Sequence, residues 1–179
     1  MSDKTYLTGS AEDKILTCLK AAGWHKGRRV DMTKVRDFYS KGGIILPAGA
    51  VRFLREYHGL ASGWYFNIPV EKQAGRAPDV TFSLFPNKGW ETEQYFDERY
   101  KDVFDEDLKT ISEYAGEPLV WVASIGYYYY DAVYMGSTGK IFTMRDDGEI
   151  RTYYSIVDML SWDFEHHPNW EYVTVRHEP

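Results

Sequence analysis

The side chains that could act as a nucleophile or as its base are few in this chain. Cys18 is its single cysteine, and a thiol with a distant histidine is the arrangement of a nucleophile and base. Cys18 is small, however, and lies in an amphipathic segment, so packing in a core is the simpler interpretation. The sequence contains no Gly-x-Ser-x-Gly elbow and no Gly-x-x-x-x-Gly-Lys-Ser/Thr phosphate loop. We therefore expect no catalytic centre and no cofactor.

A metal site would need histidine, cysteine or carboxylate ligands at a spacing that lets them converge. The chain has neither a Cys-x-x-Cys nor a His-Glu-x-x-His motif. His166 and His167, with Glu165 and His177, offer at most a weak surface site, and a solvated loop is the preferred interpretation. The consecutive acids at residues 105–107 would spread around a helix and cannot meet at one ion. We predict no metal site.

Charge is divided unevenly along the chain. Residues 1–90 carry 14 basic and 8 acidic side chains, whereas residues 91–179 carry 7 basic and 19 acidic ones. Residues 91–117 alone contain ten acidic and three basic residues. An acidic surface repels nucleic acid and attracts basic protein surfaces. Two interpretations stay open: these acids form part of a protein-binding face, or they solvate the outer side of a helix.

Aromatic residues are abundant, with 15 tyrosines and 6 tryptophans. The run Tyr127–Tyr130 would place alternate rings on opposite faces of a strand, so one pair belongs to a core and the other faces outward. Exposed paired aromatic rings are typical of a binding surface. The basic residues beside Trp24 match a nucleic-acid site only weakly in a chain of net charge −6, and we expect no direct nucleic-acid contact.

The acidic segment and the tyrosine strand supply the candidate partner-binding residues. The candidates are Trp90, Asp97, Asp102, Asp105, Glu106, Asp107, Tyr128 and Tyr130.

Hydrophobic periodicity predicts the elements that position these residues. Helices are predicted to begin at Ser10, Asp31 and Pro47, to span about residues 92–115, and to follow Ser155. Strands are predicted at residues 64–70, 80–85, 119–125, 127–135, 140–145, 149–154 and 170–176. Helices and hairpins are segregated along the chain, which indicates an α+β fold with a mixed or antiparallel β-sheet flanked by helices.

Length and composition predict a single cytoplasmic domain. A chain of 179 residues can bury a proper core, which we place at about residues 10–163, with a C-terminal tail at residues 164–179. The N-terminus lacks the apolar core of a signal peptide, and no stretch approaches the roughly 20 apolar residues of a membrane span. We expect no membrane association, and the oligomeric state stays open.

Short motifs in a fixed order resemble the third family of the SUKH superfamily. Residues 22–31, with the sequence AGWHKGRRVD, resemble the family's opening Gly-Trp, Gly-Arg and hydrophobic-Asp pattern. The resemblance continues at residues 50–60, 124–126, 133–136 and 139–142, and a closing helix matches residues 155–162. It covers roughly residues 10–163. The acidic helix and the tyrosine run are richer than is usual in the family, and the tail has no clear counterpart.

The resemblance implies a SUKH-like fold and a bacterial immunity protein. Members are encoded beside polymorphic or contact-dependent toxins, many of them nucleases or deaminases, and protect the cell by binding the toxin domain. The sequence-based hypothesis is therefore a cytoplasmic toxin inhibitor that acts by protein–protein interaction and is not an enzyme. Two alternatives stay open: an enzyme or small-molecule-binding protein with an aromatic pocket, and a regulatory adaptor of the SUKH type.

Overall fold

The structure is a computed structural model that describes residues 4–60, 64–67, 81–84, 98–126, 130–145, 147–166 and 171–175. The helices in these ranges are α1 (Ala11–Ala21), α2 (Thr33–Lys41), α3 (Ala48–Tyr57), α4 (Glu98–Ala115) and α5 (Ile156–His166). The strands are β1 (Lys4–Tyr6), β2 (Trp64–Asn67), β3 (Thr81–Leu84), β4 (Val120–Gly126), β5 (Tyr130–Met135), β6 (Ile141–Met144), β7 (Ile150–Tyr153) and β8 (Tyr172–Val175).

The larger sheet is an antiparallel meander of five strands in the order β3-β4-β5-β6-β7. Its last hairpin turns at Gly148, which has a φ of 82° and follows Asp147, as the Asp-Gly pair predicts. Strand β6 is buried along its whole length, because both faces of the sheet are covered there. The predicted α+β class with an antiparallel sheet is therefore confirmed.

A smaller antiparallel sheet has the order β1-β8-β2. Its central strand comes from the C-terminal end of the chain, where Val173 pairs with Thr5 on one side and Phe66 on the other. Val173 is fully buried, so the segment assigned to a tail contributes to the core. The sequence predicted β8 but not β1, whose three residues are too few for a periodic pattern.

The core joins the apolar faces of the helices to the larger sheet. Helix α1 contributes Ile15, Cys18 and Leu19, and α2 contributes Val35, Phe38 and Tyr39. The sheet contributes mainly buried aliphatic and aromatic residues of its three middle strands: Val120, Trp121, Val122, Ala123, Ile125, Val133, Tyr134, Met135, Ile141, Phe142 and Met144. The buried residues of α1 and of α2 lie on one side of each helix, which is the spacing of an amphipathic helix.

The ends of α1 follow the predicted capping chemistry. Ser10 accepts a hydrogen bond from the amide of Asp13, and the Asp13 carboxylate accepts one from the amide of Ser10 at 3.0 Å. At the other end Gly23 has a φ of 98°, and the amide of Trp24 donates to the carbonyl of Leu19 at 2.9 Å. This left-handed turn needs glycine, and it directs the chain from α1 toward Trp24.

Parts of several predicted elements fall outside the described residues. The long helix predicted at residues 92–115 is present as Glu98–Ala115, and residues 92–97 lie outside the described ranges. It ends at Gly116, whose φ is 71°, as predicted. Within the described ranges, no helix is long and apolar enough to span a membrane.

Candidate partner-binding surfaces

The structure places the candidate nucleophile and many of the possible metal ligands in the described part of the chain. No group of three or more histidine, cysteine, aspartate or glutamate side chains there is placed to hold a metal ion. Cys18 is completely buried, and this desolvation raises the pKa of its thiol far above the usual value. Because the thiolate is the reactive form, Cys18 is a packing residue and not a nucleophile.

The family-like motif at residues 22–31 contacts α3 and so connects the segment between α1 and α2 to that helix. The indole nitrogen of Trp24 donates a hydrogen bond to the Glu56 carboxylate at 3.0 Å, and Trp24 is half-buried against the core. The amphipathic patterns on both sides of the α1–α2 turn predict that Trp24 is buried there, but Trp24 is only half-buried and its polar partner is on α3. Its position is intermediate because an indole needs a hydrogen-bond acceptor, and the carboxylate is available only near the surface.

Arg28 of the same motif closes the C-terminal end of α3. Its guanidinium donates to the backbone carbonyls of Glu56 at 2.5 Å and His58 at 2.7 Å. These carbonyls lie at the negative end of the helix dipole, where a cation is stabilising. Arg28 therefore has a structural role at the end of α3.

The family-like motifs at residues 133–136 and 139–142 meet in a tight turn between β5 and β6. The carboxylate of Glu117 accepts hydrogen bonds from the amides of Ser137 at 2.6 Å and Thr138 at 3.2 Å, and from the Thr138 hydroxyl. Gly49 at the start of α3 packs on the other side, where an added Cβ would approach the Gly139 nitrogen to 2.7 Å. A glycine at position 49 is therefore needed for the close approach of α3 to this turn.

Helix α4 carries most of the candidate acidic residues. Trp90 and Asp97 lie outside the described residues, and Asp102 and Asp105 are placed only as backbone positions on the helix. Glu106 is exposed, as an outer-face residue should be, and so is Glu113 two turns later. The part of the acidic face that the structure describes is therefore open to a partner.

Asp107 differs from the other acids, because it lies at the inner edge of α4. It is half-buried, and it is four residues before Ile111, which is fully buried on the core side. Burial and then the negative charge of Asp107 raise the pKa of Tyr134 on β5. The sequence grouped Asp107 with its neighbours because charge runs do not reveal which residue of a helix turns inward.

Two exposed tyrosines have partners on β6 or directly before it. Tyr114, 60% exposed, meets the buried ring of Phe142 edge-on with centroids 6.4 Å apart. Phe142 pairs with Thr152, and Tyr154 follows two residues later on the same side, 77% exposed. The ammonium of Lys140 lies 5.8 Å from the Tyr154 ring centroid. Sequence reasoning missed both tyrosines, since neither belongs to the run Tyr127–Tyr130.

The tyrosine run itself lies mostly outside the described residues. Residues 127–129, which include the candidate Tyr128, are not described, and Tyr130 is placed only as the first residue of β5. Its backbone pairs with Gly126 of β4, and the predicted start of this strand at Tyr127 falls outside the described residues. The orientation of these rings stays a prediction.

A basic cleft lies between α2 and α3 and was also missed by sequence reasoning. It has a volume of about 280 Å³ and is lined by the following residues: Arg29, Val30, Asp31, Met32, Thr33, Arg36 and Arg55. The three arginines are distant in sequence, so no motif unites them. The amide of Val30 donates to the carbonyl of Arg55 at 2.9 Å and so brings two of them together.

Comparison with known proteins gives one match. A family model described as SUKH-3 immunity protein matches residues 11–156. The match includes both glycine-containing motifs described above and ends at the start of α5. No curated protein and no solved structure matches the chain.

Proposed function

Because the chain belongs to the SUKH-3 immunity protein family, we propose that it protects its host cell by binding and blocking a cognate toxin domain. The match to the family over residues 11–156 is the observation that carries this proposal. The mechanism is stoichiometric binding, without turnover of a substrate. The toxin belongs to a polymorphic or contact-dependent system, and the inhibitor acts in the cytoplasm of a bacterium.

The contacts of the family-like residues support a scaffold on which the binding surface varies. Trp24 and Arg28 hold α3, and Glu117 holds the β5–β6 turn, so these side chains are used inside the fold. Side chains that form hydrogen bonds within the fold in this way are not available to select a partner. Selection of a toxin then falls to exposed residues that the fold does not need.

The proposed toxin-binding face consists of the exposed acids of α4, Tyr114 of the same helix and Tyr154, which follows β7. Glu106 and Glu113 give it negative charge, and Tyr114 and Tyr154 give it exposed aromatic area. Tyrosine is favoured in protein interfaces because its ring buries a large area at a low cost in side-chain entropy. If the toxin acts on nucleic acid, its own active site must be basic, and this face suits it in charge.

A co-expression experiment tests the function. The toxin domain encoded beside this gene is expressed from an inducible promoter in cells with and without the chain, and viable counts are compared. We expect rescue only with the chain present, together with a one-to-one complex of the purified proteins. Cell death in the presence of well-folded inhibitor would contradict the immunity function and favour the regulatory adaptor.

Variants of α4 test the binding face. Replacing Glu106 and Glu113 with glutamine should slow association with that toxin and flatten its salt dependence, because exposed charges act mainly on the encounter rate. The same is expected for Asp102→Asn with Asp105→Asn. The matched control is Glu12→Gln with Asp37→Asn, which removes two exposed acids from α1 and α2. Unchanged association at low salt in the α4 variants would move the interface elsewhere, first to the sheet face of Tyr128 and Tyr130.

A further inference from the structure

The basic cleft concentrates positive charge on one side of an acidic chain. Arg29, Arg36 and Arg55 line it with a single acid, Asp31, whereas the chain as a whole has a net charge of −6. Arg29 and Arg36 are exposed, and Arg55 is half-buried. Three guanidinium groups around one cleft repel each other, so an anion between them is stabilised.

The three guanidinium groups differ from Arg28, Arg145 and Arg151 in their contacts within the described part of the chain. Among the described residues, none of them forms an ion pair, whereas Arg145 and Arg151 both reach Glu149 and Arg28 is bound to two carbonyls. Of the arginine side chains that the structure describes, Arg28, Arg145 and Arg151 thus hold structure, whereas Arg29, Arg36 and Arg55 face the cleft. Because a guanidinium presents a planar fork of N–H donors, the second group is suited to oxyanions with two oxygens.

The chemistry of the cleft favours carboxylate over phosphate. Phosphate bound at a helix N-terminus takes the free backbone N–H groups there. At the start of α2 the amide of Thr33 already donates to the Asp31 carboxylate at 3.1 Å, and the Thr33 hydroxyl donates to it at 2.8 Å. A compact dianion would also lie beside this carboxylate. Singly charged carboxylates can instead be spread over the separate arginines.

We propose that the cleft lined by Arg29, Arg36 and Arg55 binds carboxylate side chains from an acidic segment of a protein partner. Its volume of about 280 Å³ is at the lower end of the roughly 300–1,000 Å³ of pockets that enclose small molecules. Such a cleft accepts side chains that protrude from a larger surface. The identification of that partner with the toxin rests on the function proposed above. The chain then has two contact surfaces of opposite charge, which fixes the orientation of the partner.

A peptide titration tests the site without the toxin. The ¹⁵N-labelled full chain is titrated with a hexaglutamate peptide, with a hexaglutamine peptide and with inorganic phosphate, and amide shifts are followed by NMR. We expect hexaglutamate alone to shift the amides of residues 29–33 and of Arg36 in a saturable way. No saturable shift there, or tighter binding of inorganic phosphate at the same amides, overturns the proposal.

Paired variants distinguish binding at the cleft from general electrostatic attraction. Arg29→Gln with Arg36→Gln removes two charges from the cleft, and Lys34→Gln with Lys41→Gln removes two exposed charges from α2 outside its lining. We expect the arginine pair to weaken hexaglutamate binding at least tenfold and the lysine pair less than twofold. Equal weakening by both pairs overturns the proposal.

The toxin assay separates the two proposals. Failure of the unaltered chain to rescue cells counts against the immunity function and leaves the peptide result standing. If the unaltered chain rescues cells and binds hexaglutamate, the arginine pair should lower toxin affinity at least tenfold. Full toxin affinity in the arginine pair would show that the toxin does not use the cleft and would overturn that part of the proposal.

Discussion

The hydroxyl of Tyr39 on α2 donates a hydrogen bond to the backbone carbonyl of Trp121 on β4 at 2.7 Å. The register of β4 against β5 shifts between Trp121 and Ala123, so the strand bulges at this point. A bulge leaves backbone groups without their usual ladder partners. Tyr39 is fully buried, and its hydroxyl therefore joins a helix to the sheet at the place where the sheet is irregular.

Replacing Tyr39 with phenylalanine should lower the free energy of unfolding by about 1–2 kcal/mol, because a buried carbonyl loses a donor. Denaturation by urea, followed by tryptophan fluorescence, measures the change. The matched control is Tyr114→Phe, which removes a hydroxyl from a ring that is 60% exposed and should change stability little. Equal effects of the two substitutions would show that the bulge does not depend on Tyr39.

Replacing Arg28 with alanine should destabilise the fold by about 2 kcal/mol. Two charge-assisted hydrogen bonds to the end of α3 are lost, and the carbonyls of Glu56 and His58 lose a cation. Arg28→Lys should be intermediate, since an ammonium keeps the charge but not the planar fork. The control is the exposed neighbour Arg29→Ala, with a change within about 0.5 kcal/mol. Thermal unfolding by circular dichroism gives the order of the three variants.

Replacing Gly49 with alanine should destabilise the protein, although alanine is the better helix former. Propensity favours alanine by at most about 1 kcal/mol. The added Cβ would lie 2.7 Å from the Gly139 nitrogen and 2.8 Å from its Cα, and overpacking against backbone costs about 1–3 kcal/mol. The cost of the clash should exceed the gain in helix propensity, because a backbone turn cannot rotate away as a side chain does. A melting temperature equal to or above that of the unaltered chain would contradict this packing, and exposed Ala48→Gly controls for propensity.

Glu117 should make stability depend on pH in the acid range. Partial burial alone would raise the pKa of its carboxyl, but hydrogen bonds from Thr138 and Ser137 and the charge of Lys140 outweigh this, so the pKa is lowered. The resulting stabilisation is fully present above the unfolded pKa of about 4.3 and is lost as pH falls through the lowered folded value.

Replacing Glu117 with glutamine should therefore cost about 1 kcal/mol at pH 7, a modest value because the carboxylate is partly exposed. The difference from the unaltered chain should shrink as pH falls below about 4. Urea titrations at pH 7 and pH 3 measure it, with Glu106→Gln as the exposed control. A difference that grows toward acid would mean that the carboxylate is not held in its charged form.

The sequence determined most of the local structure. Ser10 with Asp13 and Gly23 after α1 act through bonds within a few residues, so their types and spacing were enough to predict the helix and its ends. Alternation and the Asp147-Gly148 turn likewise predicted the β6–β7 hairpin. The order of the short motifs resembled one family, and the comparison confirmed it.

The contacts between residues that are distant in sequence were decided by the tertiary structure alone. Trp24 meets Glu56 across 32 residues and Tyr39 meets Trp121 across 82, distances over which no local pattern acts. The same holds for the cleft, whose arginines converge only because the α1–α2 connection is hydrogen-bonded to α3. The inward position of Asp107 was also beyond the sequence pattern. A run of charges shows that a helix has an acidic face, but packing against the sheet decides which of those acids are exposed.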